Sequence, residues 1–143
     1  MPRDGGNRLL IDTNIALDLL CPGRPQFKEA NRVTELCNGG GDIGFMTAGS
    51  IKDVYYILCK ERGKELAREA VETLMGLFVI APLAAEECDL SLRCNEPDFE
   101  DGLVRACAEL NDIDFILSRD TAAFKGSKVR AMGCADYLKF VRA

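Results

Sequence analysis

The chain has 143 residues with 18 Lys and Arg against 23 Asp and Glu, which gives a formal net charge of −5 and an expected single domain over residues 1–143. It contains no histidine. A Ser-His-Asp triad, a Cys-His pair, an HExxH zinc site and any histidine general base are therefore excluded, so that chemistry must use carboxylates, hydroxyls, thiols or amines.

Short apolar runs alternate with amphipathic stretches along the chain, which is typical of βαβ units with a parallel sheet covered on both faces. In chain order we predict a strand at 8–11, a helix at 27–38, a strand at 43–46, helices at 51–62 and 64–77, a strand at 77–80, helices at 84–93 and 99–111, strands at 115–117 and 129–132, and a helix at 135–141. Proline in Asn95-Glu96-Pro97 separates the fifth predicted helix from the fourth. The predicted fold class is α/β: a single-domain three-layer α/β/α sandwich with a central, mostly parallel sheet of four to five strands.

The seven cysteines are odd in number, form no CxxC pair and mostly lie within apolar runs. This pattern predicts reduced core thiols and disfavours a structural zinc site. The polar start of the chain and the absence of a long uncharged apolar stretch predict neither a secretion signal nor a transmembrane helix. We therefore expect a cytoplasmic protein with no membrane association.

Aspartates stand where the predicted sheet would place a ligand. They follow a strand directly, lie in the segment after it, or open the helix before the next strand: Asp12, Asp53, Asp98, Asp101 and Asp120. Ligands of an open parallel sheet bind beyond the carboxyl ends of its strands. If the first, second and fourth strands are neighbours, these carboxylates converge.

Converging carboxylates repel one another, because two unit charges about 4 Å apart cost on the order of 4 kcal/mol at an effective dielectric near 20. A divalent cation offsets this repulsion, and oxygen ligands without histidine or thiolate favour Mg²⁺ or Mn²⁺. Such a metal lowers the pKa of a bound water and stabilises the leaving oxygen of a phosphodiester. It therefore generates hydroxide without a histidine base.

Four segments carry a resemblance to a known family. They are Leu-Ile-Asp-Thr-Asn-Ile-Ala-Leu-Asp at 10–18, Ser-Ile-Lys-Asp-Val-Tyr-Tyr at 50–56, Asp-Phe-Glu-Asp-Gly-Leu-Val-Arg-Ala-Cys-Ala at 98–108, and Ser-Arg-Asp-Thr-Ala-Ala-Phe at 118–124. With these segments the chain resembles the PIN-domain ribonucleases, which include the toxins of many prokaryotic toxin–antitoxin pairs. Each segment alone is weak, whereas four in the family's order over nearly the whole chain are fairly specific.

The resemblance implies a metal-dependent endoribonuclease that binds Mg²⁺ or Mn²⁺ through Asp12, Asp101 and Asp120. Asp53 stands at the remaining acidic position, where the family more commonly has glutamate, and its shorter reach favours ligation through water. Asp98 is expected to supplement the metal ligands from the same helix entrance as Asp101. The implied catalytic residues are Asp12, Asp53, Asp101 and Asp120, the implied metal ligands are Asp12, Asp98, Asp101 and Asp120, and the supporting residues are Thr13, Asn14, Ser50, Ser118 and Thr121.

The same resemblance implies three partners. RNA is the substrate, a small antitoxin protein blocks the site by inserting an arginine among the carboxylates, and a second copy of the chain forms a homodimer. The sequence itself does not indicate the surfaces involved.

Each acidic residue also has a structural interpretation. Asp98 with Asp101 has N-cap and N3 spacing, and Ser50 with Asp53 fits the S/T-x-x-D/E capping pattern. Asp12 and Asp120 are also suited to capping the turns after their strands. Asp18, six residues after Asp12, is expected at the surface or as a partner of a site residue.

Other functions remain to be weighed against the nuclease. The negative net charge disfavours RNA binding, because most non-specific affinity comes from Lys and Arg contacts to phosphates. A non-catalytic PIN-like RNA- or protein-binding module is therefore the main alternative. A phosphatase of the haloacid dehalogenase type requires a carboxylate two residues after the first aspartate, where this chain has Asn14, and a receiver domain requires a lysine after a late strand that 118–120 does not supply.

Overall fold

A computed structural model describes residues 6–94 and 98–142. The strands are β1 (Arg8–Ile11), β2 (Ile43–Thr47), β3 (Val79–Ala81), β4 (Phe115–Leu117) and β5 (Arg130–Met132). The helices are α1 (Thr13–Leu20), α2 (Phe27–Cys37), α3 (Ala48–Arg62), α4 (Lys64–Leu77), α5 (Ala85–Arg93), α6 (Phe99–Leu110) and α7 (Cys134–Arg142), and a 3-10 turn spans Thr121–Phe124.

The five strands form one sheet in the order β3-β2-β1-β4-β5, and every pairing is parallel. β1 is central, with Leu9 opposite Gly44 of β2 on one side and Phe115 of β4 on the other. The predicted α/β class with a parallel sheet is confirmed. The condition that the first, second and fourth strands are neighbours is also met, so their carboxyl ends meet at one edge.

The core is divided between the two faces of this sheet. Leu9 and Ile11 pack with residues of α1, α2, α3, α4 and α7 on one face, whereas Leu10 packs with Val104 and Cys107 of α6 on the other. This alternation follows from the twofold periodicity of a strand. Within residues 6–94 and 98–142, no helix combines the length and apolar character needed to cross a bilayer.

The cysteines are free thiols, as predicted from their number and spacing. Burial raises the pKa of Cys37 and of Cys134 to about 12, and the pKa of Cys107 to about 11. These three thiols are therefore protonated near neutral pH and act as core residues.

Helix α1 was not among the elements predicted from the sequence, and two predicted boundaries differ from the structure by more than one residue, for identifiable reasons. α3 begins at Ala48 and not at residue 51, because the Thr47 side chain caps it by accepting a hydrogen bond of 2.9 Å from the Ser50 amide. β3 begins two residues later than predicted, because α4 continues through Leu77. The predicted break at 95–97 lies outside the described residues.

Candidate active site

Asp12 connects two of the central strands at their carboxyl edge. It follows β1 and is the N-cap of α1, where its Oδ1 accepts a hydrogen bond of 2.9 Å from the Thr13 amide. Its Oδ2 accepts a hydrogen bond of 2.7 Å from Ser118 Oγ, beyond the end of β4. The capping interpretation is therefore correct for one oxygen, while the second oxygen is oriented across the sheet edge.

Ser118 is fully buried and organises the same edge. Besides donating to Asp12, its Oγ accepts hydrogen bonds of 3.0 Å from the Asp120 amide and 3.3 Å from Asn14 Nδ2. Asn14 in turn accepts a hydrogen bond of 3.1 Å from the Arg119 amide through Oδ1. Ser118 and Asn14 thus hold the two acidic segments, 12–14 and 118–120, in a fixed relation.

Burial and neighbouring carboxylates raise the pKa of Asp12. Removal from water is the largest cause, and the negative charges of Asp120 and Asp53 add to it, while the hydrogen bonds from Ser118 and Thr13 act in the opposite direction. The three aspartates are therefore electrostatically coupled although they come from segments far apart in the sequence.

Asp101 belongs to the same coupled group. It lies in the first turn of α6, and its pKa is raised to about 6, first by burial and then by the charges of Asp98, Asp12, Asp120 and Glu100. Repulsion of this kind is the electrostatic condition that a bound cation would relieve.

Asp98 is exposed and caps α6, because its Oδ1 accepts a hydrogen bond of 2.8 Å from the Glu100 amide. The predicted start of this helix is correct: Asp98 is its N-cap, which places Asp101 at N3. Glu100 also faces the cleft beside Asp101, a position that sequence reasoning missed although the residue lies in the same acidic helix entrance.

The predicted capping pair of Ser50 and Asp53 is wrong. Because Thr47 caps α3, Ser50 lies in the first turn and Asp53 lies one turn further along the helix. Asp53 is half-buried, with Lys52 Nζ 3.5 Å from its Oδ1. Its carboxylate is consequently available to the cleft and not needed for the helix terminus.

These elements enclose an open cleft of about 490 Å³ at the carboxyl edge. Its lining includes the predicted site residues Asp12, Thr13, Ser50, Asp53 and Asp101. Asp120 is exposed beside it and does not cap the 3-10 turn with its side chain, which argues against the purely capping role considered for it. Thr121 faces a second cavity, on the other side of Ser118.

Asp18 is not a surface residue, which corrects the first of the two expectations for it. Its side chain is completely buried, with Oδ1 accepting a hydrogen bond of 3.3 Å from Arg24 Nη1 and with Arg119 Nε 2.9 Å from Oδ2. No short-range sequence signal indicates this burial, because both arginines reach it from outside α1.

The donor set fits a hard divalent cation. Every acidic side chain of the cleft offers oxygen, and neighbouring negative charges add to burial in raising the pKa of Asp12 and of Asp101. Among the described residues, no three or more His, Cys, Asp or Glu side chains are grouped closely enough to hold a metal ion. Mg²⁺ commonly uses one or two carboxylates together with water and substrate phosphate, which such a spacing accommodates.

Comparison with known proteins supports a single family. A family model described as PIN domain matches residues 8–122. No curated protein sequence matches the chain.

Several solved structures share the fold. VapBC2 from Rickettsia felis, solved bound to a DNA fragment from its promoter, matches with a TM-score of 0.70 and 12% identity over 88% of this chain and 98% of that chain. VapC20 from Mycobacterium tuberculosis, described as a sarcin-ricin loop cleaving toxin, matches with a TM-score of 0.66 and 15% identity over 82% and 94%. A toxin–antitoxin complex from Klebsiella pneumoniae matches with a TM-score of 0.67 and 23% identity over 88% and 97%.

Proposed function

The chain belongs to the PIN domain family, and on this premise we propose that it is a metal-dependent endoribonuclease that hydrolyses RNA phosphodiesters in the cytoplasm. The observation that carries the proposal is the electrostatic coupling at one sheet edge. Burial is the largest cause of the raised pKa values of Asp12 and Asp101. The charges of Asp120 and Asp53 add to it at Asp12, and those of Asp98, Asp12 and Asp120 add to it at Asp101. The free thiols support the cytoplasmic assignment.

Asp12, Asp101 and Asp120 would hold Mg²⁺ or Mn²⁺, one or two of them directly and the rest through bound water, with Asp53 and Asp98 assisting. When bound, such an ion supplies a water of lowered pKa and stabilises the leaving oxygen. The protein itself contributes the orientation of the carboxylates and the mutual repulsion between them that a cation relieves. Since Asp12 accepts hydrogen bonds from Thr13 and Ser118, its carboxylate is held in one orientation before substrate binds.

The supporting residues act through hydrogen bonds and shape. Ser118 and Asn14 join the two acidic segments, Thr13 and Ser50 line the cleft, and Thr121 opens the turn after Asp120. We assign to this group the positioning of carboxylates and of the scissile phosphate, and not proton transfer.

The test is cleavage of labelled RNAs and single-stranded DNA with and without Mn²⁺ or Mg²⁺. We expect wild type to cut RNA only with metal, and Asp12→Asn and Asp120→Asn to lose this activity. Asp112→Asn is the matched control, because it makes the same charge change at an exposed residue before β4, where the positive φ of 51° is one that asparagine tolerates. Metal-independent cutting, or equal cutting by Asp12→Asn, would contradict the proposal.

A second readout separates failure of catalysis from failure of metal binding. We expect Mn²⁺ to raise the melting temperature of wild type and of Asp112→Asn, and to raise that of Asp12→Asn less. A wild-type protein that neither cuts RNA nor gains stability with metal would instead be a non-catalytic PIN-like binding module.

We further propose that the protein is the toxin of a toxin–antitoxin pair and forms a homodimer. The family membership and the fold shared with toxin–antitoxin structures support this proposal. Copurification of a small protein that suppresses cleavage would support the antitoxin, and molar mass in solution tests the dimer. Cleavage activity in the native host without any such partner would contradict the pairing.

A further inference from the structure

Asp18 is a fully buried carboxylate that no step of the proposed hydrolysis uses. Burial of a charge is costly unless opposite charges compensate it. Here two arginines do so: Arg24 donates to Oδ1 at 3.3 Å, and Arg119 Nε lies 2.9 Å from Oδ2 as an ion pair, without a hydrogen bond reaching that oxygen. The buried charge therefore fixes the positions of two cationic side chains.

Arg119 is the more informative of the two because of where it stands. It lies between Ser118 and Asp120, directly beyond β4, and its backbone amide donates to Asn14. Its side chain is 42% exposed. The backbone of Arg119 is thus held at the carboxyl edge of the sheet and its side chain is held by Asp18 of α1, while part of that side chain faces solvent.

The mode of attachment leaves the guanidinium available for a ligand. Asp18 engages the guanidinium through Nε, and within residues 6–94 and 98–142 no other residue forms an ion pair or hydrogen bond with the Arg119 side chain. The charge of Lys52, by contrast, is paired with Asp53 in the cleft, with 3.5 Å between Nζ and Oδ1. The planar N–H groups of a guanidinium match the oxygens of a phosphate.

We propose that Arg119 binds a backbone phosphate of RNA beside the scissile one, and that buried Asp18 is its positioning residue. This inference rests on the proposed nuclease function, since it assigns RNA to the same site. An acidic cleft in a chain of net charge −5 repels a polyanion. Arg119 lines the neighbouring cavity at the same sheet edge, the one that Thr121 faces, and a cation there provides local attraction where the overall charge provides none.

The test is the salt dependence of RNA affinity, measured by fluorescence anisotropy with a labelled single-stranded RNA in EDTA. Every protein carries Asp12→Asn, so that cleavage does not interfere. We expect Arg119→Gln to weaken binding about tenfold and to reduce the slope of log K against log salt by about 0.7, the value of one phosphate contact on a single strand. The RNA affinity of Arg119→Lys should fall between those of the parent and Arg119→Gln, because lysine keeps the charge and loses the planar pair of N–H donors.

Arg62→Gln is the matched control, since it removes the same charge at the far end of α3. That helix begins at the site edge and runs for 15 residues, which is about 22 Å. We expect less than about a twofold change in affinity and an unchanged slope. Equal effects of Arg119→Gln and Arg62→Gln would overturn the proposal, as would unchanged RNA binding in Arg119→Gln.

Asp18 is tested through a double-mutant cycle. If it acts through Arg119, Asp18→Asn should weaken RNA binding in the parent and cause no additional loss in Arg119→Gln. Additive losses would show that Asp18 has a general structural role. Should Asp18→Asn fail to fold, the Arg119 variants decide the phosphate contact without it.

The outcomes also separate this inference from the nuclease proposal. Metal-dependent cleavage by wild type together with an unchanged salt slope in Arg119→Gln would leave the nuclease intact and remove the phosphate contact. A reduced slope in Arg119→Gln without any cleavage by wild type would keep the contact and remove the nuclease.

Discussion

The Ser118 hydroxyl is the smallest group on which the geometry of the site depends. It donates to Asp12 and accepts from the Asp120 amide and from Asn14, so one oxygen joins the ends of β1 and β4. Because the side chain is fully buried, water cannot replace these contacts without rearrangement.

We predict that Ser118→Ala lowers the free energy of unfolding by ~1–3 kcal/mol, because it removes the three hydrogen bonds of a fully buried hydroxyl. It should also reduce kcat/KM by about 10–100-fold, as loss of a residue that orients a metal ligand commonly does. Chemical denaturation and RNA cleavage measure the two effects. Ser127→Ala, which removes one loop hydrogen bond to the Val129 amide, is the control and should leave cleavage unchanged.

Asp101 gives the site a pH-dependent stability. Its pKa in the folded protein is about 6, against 3.8 for the free side chain, so the folded state binds a proton more tightly than the unfolded state. The resulting stabilisation is complete below about pH 4 and is lost as the pH rises through 6.

In EDTA we therefore predict that Asp101→Asn melts at a higher temperature than wild type at pH 7.5, and that the difference disappears near pH 4. Thermal denaturation at both pH values measures this. Asp112→Asn, before β4, should track wild type throughout. A higher melting temperature for wild type than for Asp101→Asn at pH 7.5 without metal would show that the ionised Asp101 does not destabilise the folded protein.

Asp12 and Ser118 could be identified from the sequence because each follows an apolar strand directly, and a parallel sheet brings such residues together. Asp18 could not. Its charge is paired with Arg24 and Arg119, which lie outside α1 in the sequence, so no pattern within that helix indicates the burial. Local periodicity places a residue on a helix but does not reveal which charges meet it.

At the scale of elements, α6 positions Asp98 and Asp101 through close packing on α5. An added Cβ at Gly102 would overlap Ser91 Oγ and lie 3.1 Å from Ser91 Cβ. Ser91 is buried, and its Oγ donates to the Phe99 carbonyl at 2.8 Å. The acidic helix entrance is therefore held against α5 with no spare volume.

We predict that Gly102→Ala destabilises the protein by ~1–3 kcal/mol through overpacking, and that it lowers cleavage by displacing Asp101. Gly76→Ala makes the same substitution in α4, where nothing lies within 4 Å of the added Cβ. It should stabilise by ~0.4–1 kcal/mol and leave cleavage unchanged. Thermal denaturation checks the pair: Gly102→Ala should lower the melting temperature and Gly76→Ala should raise it. Changes of the same sign would contradict the packing argument.

Most predicted strands and helices match the structure to within one residue, whereas α1 was not predicted and α3 begins three residues earlier than expected. Ala48 and Gly49 read as a loop in the sequence, yet Thr47 caps the helix there and brings Asp53 into the second turn. The cap depends on the end of β2, so it was identifiable only if that strand was known to extend through Thr47.

For the whole molecule, the two ends of the parallel strands differ in role: the carboxyl edge of the sheet holds the candidate site, and the opposite edge holds a structural hydrogen-bond network. At the edge opposite the cleft, buried Tyr137 donates to Asp42 Oδ2 at 2.6 Å and accepts from Asn7 Nδ2 at 3.1 Å, while the Asn7 amide donates to Asp42 Oδ1 at 2.8 Å. This network joins α7 to the beginnings of β1 and β2. It therefore contributes to stability without reaching the carboxylates.

Tyr137→Phe should lower the free energy of unfolding by ~1–3 kcal/mol, because it leaves Asp42 and Asn7 with fewer partners. Cleavage well below the melting temperature should stay at the wild-type rate. Urea denaturation and RNA cleavage measure the two properties. Tyr56→Phe is the control, since that side chain is 65% exposed, and a loss of cleavage in Tyr137→Phe alone would show that the edges are coupled.

The central position of β1 also sets when the site becomes complete during synthesis. Leu10 pairs with Ile116 of β4, which is made after β2 and β3, so β1 lacks its second neighbour until then. At roughly 5–20 residues per second, Asp120 is made about 5–20 s after Asp12. A growing chain in this interval holds Asp12 without the Ser118 hydroxyl that orients it. The proposed hydrolysis consequently requires synthesis to have passed Asp120, and a chain that stops before this residue lacks part of the site.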